Sequence, residues 1–330
     1  MIDVLEAAYR MDVTEAVWLE DVVKAVGTHI DRGRGLMGYV YDATDLEEVK
    51  VGSFWADSRA ILRTREHVQA IIRQTEPEYV KQTWRGLPCS LVSETPNIEA
   101  QPGYTAMRGL GIHDLLVING TDPTWHGVWI GACVPEPMEL ESESRALWSR
   151  VSAHIASGFR LRRRLAETEA SSTVAGAEAV LEPNGTVVHA ETPASSRTAR
   201  DLLRDAARAI DRARTGDQRG LVESIEEWKG LIAARWTLVD QFESDGRRYL
   251  CARRNDSIAG NAAGLTDREY QVVAFLSLGH STKLIAYELG IAPSTVRVLL
   301  GRAASKLGAR SREELIKASR EGAFTLASKP

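Results

Sequence analysis

The C-terminal part of this 330-residue chain carries a dense series of helix start and stop signals, and these constrain its fold more than any other feature. Thr266 opens a capping box, Ser281 is suited to cap a second helix, and Pro293 fits the first turn of a third. Gly290, at the end of the second helix, favours a left-handed stop. The spacing predicts four short helices over residues 265–321.

The second and third of these helices are joined by the short segment Gly290–Ala292, which is the spacing of a helix-turn-helix. Apolar residues recur along the third helix at intervals of three and four, so one of its faces is predicted to be buried. A face of this kind suits the major groove of duplex DNA when it offers cations and methyl groups, because Arg pairs with guanine and Val contacts the thymine methyl. The outer face lacks acids and presents Thr295, Arg297, Val298 and Arg302.

The start of the second helix is predicted to contact phosphate through the hydroxyls of Ser281 and Thr282 and the ammonium of Lys283. Four capped helices with surface cations are also compatible with a protein-docking module. The acid-free outer face favours DNA over that alternative.

The motifs of this segment resemble those of the C-terminal domain of LuxR/FixJ-type bacterial transcription regulators. They are LT-x-RE at 265–269, G-x-S-x-K-x-IA-x-x-LG at 279–290, STVR at 294–297 and KLG at 306–308. The resemblance implies base contacts at Arg297 and Val298, and backbone-contact or scaffold roles at Thr295, Lys283 and Lys306. It also implies dimerisation through Leu315 and Ile316 of the last helix. The DNA-binding set that we predict is Ser281, Thr282, Lys283, Ser294, Thr295, Arg297, Val298, Arg302 and Lys306.

Three residues depart from the pattern of the family. Ala292 stands where a Ser or Thr cap is usual, Leu284 replaces a common Glu, and Gly301 replaces a longer side chain that faces DNA. The base-reading face is therefore predicted to be narrow, and relatives do not indicate the operator.

Charge is distributed in agreement with a basic C-terminal module. Residues 263–321 contain nine Lys and Arg against six Asp and Glu, although the whole chain has a net charge of −4. The length exceeds that of one typical domain, and 44% hydrophobic residues indicate a folded protein. Neither a long apolar run nor a basic-then-apolar leader is present, so we expect a cytoplasmic protein without a membrane span.

Upstream, two joints rich in small polar residues divide the chain, at 171–176 and 255–264. Short alternating strands and flanking helices predict a multidomain chain in which α+β sensor domains precede the all-α helix-turn-helix domain. The first unit resembles a GAF domain by element order, and the second has PAS-like features. The predicted domains are 1–168, 177–254 and 263–321.

A long helix is predicted over 142–167, at the exit of the first unit. Leu147, Val151, Leu161 and Leu165 lie at heptad-compatible positions, so a parallel dimer helix is one interpretation. The other is an apolar stripe that packs on the strands of the same chain.

Aromatic residues are concentrated in the first unit and are candidates for lining the pocket of a small ligand. Ordinary core packing is the alternative for each of them. His113 and Cys89 are candidate polar groups. The pocket that we predict comprises Tyr39, Tyr41, Phe54, Trp55, Trp84, Cys89, His113 and Trp129.

The sequence has no phosphate-binding loop, nucleophile elbow or metal-ligand spacing, so we expect neither an enzyme, nor a cofactor, nor a metal site. We predict a homodimeric transcription regulator that binds double-stranded DNA and responds to a small ligand or a protein partner. A protein-interaction scaffold with an accessory DNA-binding domain is the alternative. The two differ in whether the protein's own upstream DNA binds in an Arg297-dependent manner.

Overall fold

The computed structural model of the protein describes residues 1–45, 47–76, 79, 87–167, 177–215, 236–242, 248–254 and 264–318. The helices are α1 Ile2–Ala8, α2 Glu15–Ile30, α3 Arg65–Gln74, α4 Pro102–Gly109, α5 Ser142–Glu167, α6 Arg197–Thr215, α7 Asp267–Ser277, α8 Thr282–Leu289, α9 Pro293–Leu307 and α10, residues 312–318. The strands are β1 Leu36–Asp42, β2 Lys50–Ala56, β3 Cys89–Leu91, β4 Asp114–Thr121, β5 His126–Val134, β6 Ala179–Leu181, β7 Val187–Ala190, β8 Trp236–Phe242 and β9 Arg248–Arg254.

The first unit is built on a five-stranded antiparallel sheet with the order β2-β1-β5-β4-β3. Side chains alternate between its two faces, as the period of a strand requires. Val40, Ile118 and Ile130 pack with α1, α2 and α5 on one face. Tyr39 and Trp129 lie on the opposite face, in the cluster that includes side chains of α3.

Strands and the long exit helix follow the sequence closely, because period-2 and period-3.6 patterns and the turn at Gly120–Pro123 are local signals. Three helices differ from the sequence pattern. The apolar spacing over 58–74 predicts one helix, yet α3 begins only at Arg65, where Thr64 caps it by accepting a hydrogen bond from the His67 N–H. Helices α1 and α4 were not predicted, because each is too short for a repeating apolar pattern.

The second unit has a four-stranded antiparallel sheet with the order β7-β6-β9-β8. Helix α6 packs against it through Leu203, Ala207 and Ile210, which are buried. The segment 228–235 of the PAS-like stretch lies outside the described residues. A sheet-rich N-terminal region and a helical C-terminal region are confirmed, whereas the GAF-like and PAS-like assignments stay predictions.

Helix α5 is buried on all sides along its middle, residues 151–159. The sheet covers one side and α1 another, and Gly158 allows the close approach because a Cβ there would overlap the Ala8 carbonyl oxygen. Arg162 donates to the Val13 and Arg10 carbonyl oxygens, each at 2.6 Å. The stripe therefore packs within the chain, which favours the second interpretation of its apolar pattern over a dimer helix.

Within the described part of the chain, no single helix has the length and apolar character needed to cross a membrane. Helices α8 and α9 meet these criteria only if counted together, and their axes are bent by 104°.

Candidate nucleic-acid interface

Helix α7 begins as the sequence predicts. The Thr266 hydroxyl accepts a hydrogen bond from the Glu269 N–H, and the Glu269 carboxylate accepts one from the Thr266 N–H at 2.8 Å. The Lys306 Nζ lies 2.6 Å from the same carboxylate. These contacts lower the pKa of Glu269, with the hydrogen bond from Lys306 as the largest cause.

Helices α8 and α9 form a helix-turn-helix. Ser281 caps α8 by accepting from the Leu284 N–H at 3.2 Å, and Gly290 ends the helix with a left-handed φ of 62°. Pro293 occupies the first turn of α9, and Ala292 makes no side-chain cap bond. The angle of 104° between the axes is within the range of about 90–120° expected for this motif.

The domain is held together by a compact apolar core. Val272, Ile285, Val296 and Ala303 are completely buried where α7, α8 and α9 meet. Ala286 is buried where α8 packs against its neighbours. This core fixes the orientation of α9, since the side chains on its inner face cannot turn outward without losing contacts.

The opposite face of α9 is exposed to solvent over three turns, and the helix has no acidic residue. The exposed residues of the helix are Pro293, Ser294, Thr295, Arg297, Val298, Gly301, Arg302, Ser305 and Lys306. Val298 is 52% exposed, so its methyl groups are open to solvent and available to a partner. The surface combines cations, hydroxyls and a methyl-bearing group, as the sequence predicts.

Three other predicted residues have roles inside the protein. Lys306 is paired with Glu269 and also donates to the Gly264 carbonyl oxygen, so its ammonium is engaged on the domain's own first helix. Leu315 is 4% exposed and belongs to the domain core, so it is not presented as a dimer contact. Ile316 is half-buried beside it. The placements of Lys306 and Leu315 arise from contacts between helices, which motif spacing does not encode.

The structure also shows an interface that the sequence did not indicate, between α8 and the exit helix α5. The Tyr287 hydroxyl lies 2.8 Å from His154 Nε2, and the Tyr9 hydroxyl lies 3.0 Å from His154 Nδ1. All three side chains are buried, and the Arg150 guanidinium lies over the Tyr287 ring. Only His154 had a sequence signal, as a polar residue within the apolar stripe of α5.

His154 is neutral in this setting because burial lowers its pKa to about 3. A neutral imidazole donates from one ring nitrogen and accepts at the other, so one tyrosine hydroxyl accepts from His154 and the other donates to it. The contact therefore joins Tyr9, which follows the end of α1, to α5 and α8 in one hydrogen-bonded chain, which we call the Tyr-His-Tyr relay (Tyr9, His154, Tyr287).

A groove of about 580 Å³ runs beside the relay, between the exit helix and the helix-turn-helix. Ser281 and Lys283, two of the predicted phosphate contacts, lie on one wall. Leu140 and Ser142, from the start of α5, lie on the other. The predicted phosphate-binding end of α8 thus faces the first unit in this arrangement.

The residues predicted to line a ligand pocket separate into two groups. Tyr39, Tyr41 and Trp129 lie together on the α3 face of the sheet, and we call them the aromatic floor; Phe54 packs beside them. The Tyr39 and Trp129 rings are stacked, with centroids 5.2 Å apart. Burial raises the pKa of both floor tyrosines.

The remaining pocket residues lie elsewhere. Trp55 and Cys89 belong to the opposite face of the sheet, because Trp55 follows Phe54 along β2 and Cys89 pairs with Ile118 of β4, which packs on that opposite face. Burial raises the pKa of the Cys89 thiol to about 12. His113 is half-buried before β4, and Trp84 lies outside the described residues. The eight residues therefore do not line one common pocket.

Comparison with known proteins agrees with the geometry of the C-terminal helices. Residues 263–319 match the family model of bacterial regulatory proteins of the luxR family, GerE. These residues are a LuxR-family helix-turn-helix domain. The chain is 39% identical over 75 residues to the transcriptional regulatory protein FixJ of Azorhizobium caulinodans. That match covers 22% of this chain and 36% of the relative, so the chain spans about a third of the relative's length.

Structures of SdiA are similar to the chain at 10% identity. The match to a crystal structure of Escherichia coli SdiA covers 94% of this chain and 92% of the SdiA chain, with a TM-score of 0.31. A complex of SdiA with octanoyl-rac-glycerol covers 94% and 90% with a TM-score of 0.28. The LuxR-family domain supports a DNA-binding transcription regulator.

Proposed function

We propose that the protein is a sequence-specific transcription regulator whose LuxR-family domain reads duplex DNA through the exposed face of α9. The observation that carries this proposal is the solvent-facing, acid-free surface that includes Arg297, Val298 and Arg302 on a helix held by its own core. Arg297 is assigned to a guanine edge, Val298 to a thymine methyl, and Thr295 to phosphate.

The direct test is a gel-shift titration of the full chain with duplex DNA from upstream of its own gene. Arg297→Ala is expected to weaken specific binding by about 1–3 kcal/mol. Arg268→Ala is the matched control, because Arg268 is an exposed arginine of the same domain on α7, where it donates to Gln271. Equal affinities for the two variants would instead support the scaffold alternative, in which the DNA-binding domain is accessory.

The N-terminal units are proposed to be GAF-like and PAS-like sensors that receive a small ligand or a protein partner. Support for the ligand comes from the aromatic floor, which gathers three large rings on one face of an antiparallel sheet. We propose no catalytic role for these units. Their output acts through α5, because this helix contacts both the sheet and α8.

The Tyr-His-Tyr relay is proposed to set the affinity for DNA. In the docked arrangement, Lys283 faces the wall formed by the start of α5. Glu139, Glu141 and Glu143 are exposed along that segment. These glutamates lie beside the groove and Arg145 and Arg150 line it, so a DNA backbone that approaches α8 meets the first unit before it reaches Lys283. Undocking therefore increases DNA affinity, and an input that shifts α5 changes the population of the undocked form.

Dimerisation is proposed on the resemblance to the LuxR/FixJ-type domain, with the half-buried Ile316 of the last helix as the candidate contact. Analytical ultracentrifugation of the full chain, with and without upstream DNA, tests it. A dimer in either condition supports the proposal, and a monomer in both contradicts it.

A further inference from the structure

At the aromatic floor, two buried hydrogen-bond donors have no partner among the residues that the structure describes. They are the indole Nε1 of Trp129 and the side-chain Nδ2 of Asn119. Trp129 is 5% exposed and Asn119 is 3% exposed. A buried N–H without an acceptor costs about 1–3 kcal/mol, so a protein rarely keeps two of them side by side without a use.

The two donors belong to one place in the sheet. Asn119 of β4 and Trp129 of β5 are direct cross-strand partners, which puts their Cβ atoms about 4.5–5.5 Å apart on the same face. The orientation of the Asn119 amide follows from its neighbour, because the Tyr41 hydroxyl donates to Asn119 Oδ1 at 2.9 Å. The amide N–H₂ is thereby left for another acceptor.

Two glycines make the floor flat. A Cβ at Gly131 would overlap the Trp129 indole, and a Cβ at Gly127 would lie 2.5 Å from the Tyr41 hydroxyl. The Trp129 and Tyr41 rings therefore lie over Gly131 and Gly127, in space that a larger side chain at either glycine would occupy. Flat rings beside two inward donors are suited to a planar molecule with a carbonyl group.

We propose that the floor binds a neutral, planar ligand whose carbonyl oxygen accepts from Trp129 Nε1 and Asn119 Nδ2. A neutral ligand fits because the cluster around the rings is apolar or aromatic, and the buried Asp122 carboxylate, which adds to burial in raising the pKa of Tyr41, disfavours an anion. Its flat part stacks on the Tyr39 and Trp129 rings. Side chains of α3, Val68 and Ile72, cover the same cluster, so binding is coupled to the position of α3. This inference rests on the proposed sensor function.

Saturation-transfer NMR of the full chain tests it with three probes: acetophenone, ethylbenzene and benzoate. Acetophenone has the acceptor, ethylbenzene has the same shape without it, and benzoate adds a charge. Ethylbenzene is the most hydrophobic, so a floor without donors would bind it best. We expect acetophenone to bind at least as well as ethylbenzene, and benzoate to bind least.

Trp129→Phe keeps an aromatic ring and removes the indole N–H. It is expected to weaken acetophenone binding by about three- to tenfold and to leave ethylbenzene binding nearly unchanged. Trp55→Phe is the matched control, since Trp55 lies on the opposite face of the same sheet and is expected to change neither. If Trp129→Phe does not fold, the order of the three probes with the wild-type chain decides.

The proposal is overturned if ethylbenzene or benzoate binds better than acetophenone, or if Trp129→Phe and Trp55→Phe have equal effects. If benzoate binds tightly and Trp129→Phe abolishes that binding, the neutral carbonyl ligand is rejected, whereas the proposed ligand-sensor function is retained. Failure of all three probes to bind would reject the floor as a ligand site, while the DNA-binding proposal would still be decided by Arg297→Ala.

Discussion

Replacing Tyr287 by Phe removes one hydroxyl from the contact that docks the DNA-binding domain on the exit helix. The change keeps the ring and leaves His154 Nε2 without the partner it has at 2.8 Å. Because His154 is completely buried, water cannot replace that partner in the docked form. An unpaired buried nitrogen costs about 1–3 kcal/mol, so we expect the docking equilibrium to shift toward the undocked form by roughly 5- to 150-fold.

Hydrogen–deuterium exchange measures this shift directly. Amides of α8 and of α5 residues 151–159 are expected to exchange faster by the same factor, since both surfaces become exposed on undocking. The affinity for upstream DNA is expected to increase in parallel. Tyr270→Phe is the control, because Tyr270 is a half-buried tyrosine of α7 in the same domain. Unchanged exchange in α8 and α5 with Tyr287→Phe, or acceleration throughout the chain with both variants, would refute the docking role.

Four further substitutions have expected effects on stability. Between about pH 6.5 and pH 3, unfolded histidine takes up a proton that buried His154 does not, because its pKa is lowered to about 3. The free energy of unfolding in urea therefore falls with decreasing pH by up to about 1.4 kcal/mol per unit more for wild type than for His154→Gln, and parallel curves would contradict this. Gly158→Ala is expected to lower the free energy of unfolding by about 1–3 kcal/mol, because its Cβ overlaps a carbonyl oxygen of α1. Gly301→Ala, at an open helical position, is expected to raise the free energy of unfolding by about 0.5–1 kcal/mol. If calorimetry finds equal stabilities for the two variants, the close approach of α5 to α1 at Gly158 is rejected. Lys306→Met is expected to lower the melting temperature of the C-terminal domain by removing the ion pair with Glu269. If the slope of the logarithm of the DNA-binding constant against the logarithm of salt is smaller by about one in that variant, Lys306 is a phosphate contact after all.

The parts of the fold that the sequence predicts are those decided within a few residues. The caps at Thr266 and Ser281, the left-handed stop at Gly290 and the first-turn Pro293 are local interactions, and each lies where its residue type indicates. Strand alternation likewise places Tyr39 and Tyr41 on one face of β1. The spacing of apolar residues along α9 likewise predicts which of its sides is exposed.

The parts that the sequence does not predict depend on which elements meet. Lys306 is a cation at a position where the motif predicts a DNA contact. Its ammonium instead pairs with Glu269, which is 37 residues away in the sequence. Trp55 and Cys89 are separated from the aromatic floor by the pairing of their strands. The Tyr-His-Tyr relay joins residues 145 and 133 positions apart, so periodicity and motif spacing carry no sign of it. Such contacts follow from the tertiary arrangement of α1, α5 and α8.

The central claim is that the exposed face of α9 reads a duplex, and the salt dependence of binding tests it most directly. Fluorescence anisotropy of the full chain with labelled upstream DNA is measured over a range of salt concentrations. We expect the logarithm of the binding constant to fall linearly with the logarithm of salt, with a slope of about 0.9 for each phosphate neutralised. Arg297→Ala is expected to lower affinity and reduce discrimination against unrelated DNA, and Arg268→Ala to do neither. An affinity that depends neither on salt nor on Arg297 would contradict the account.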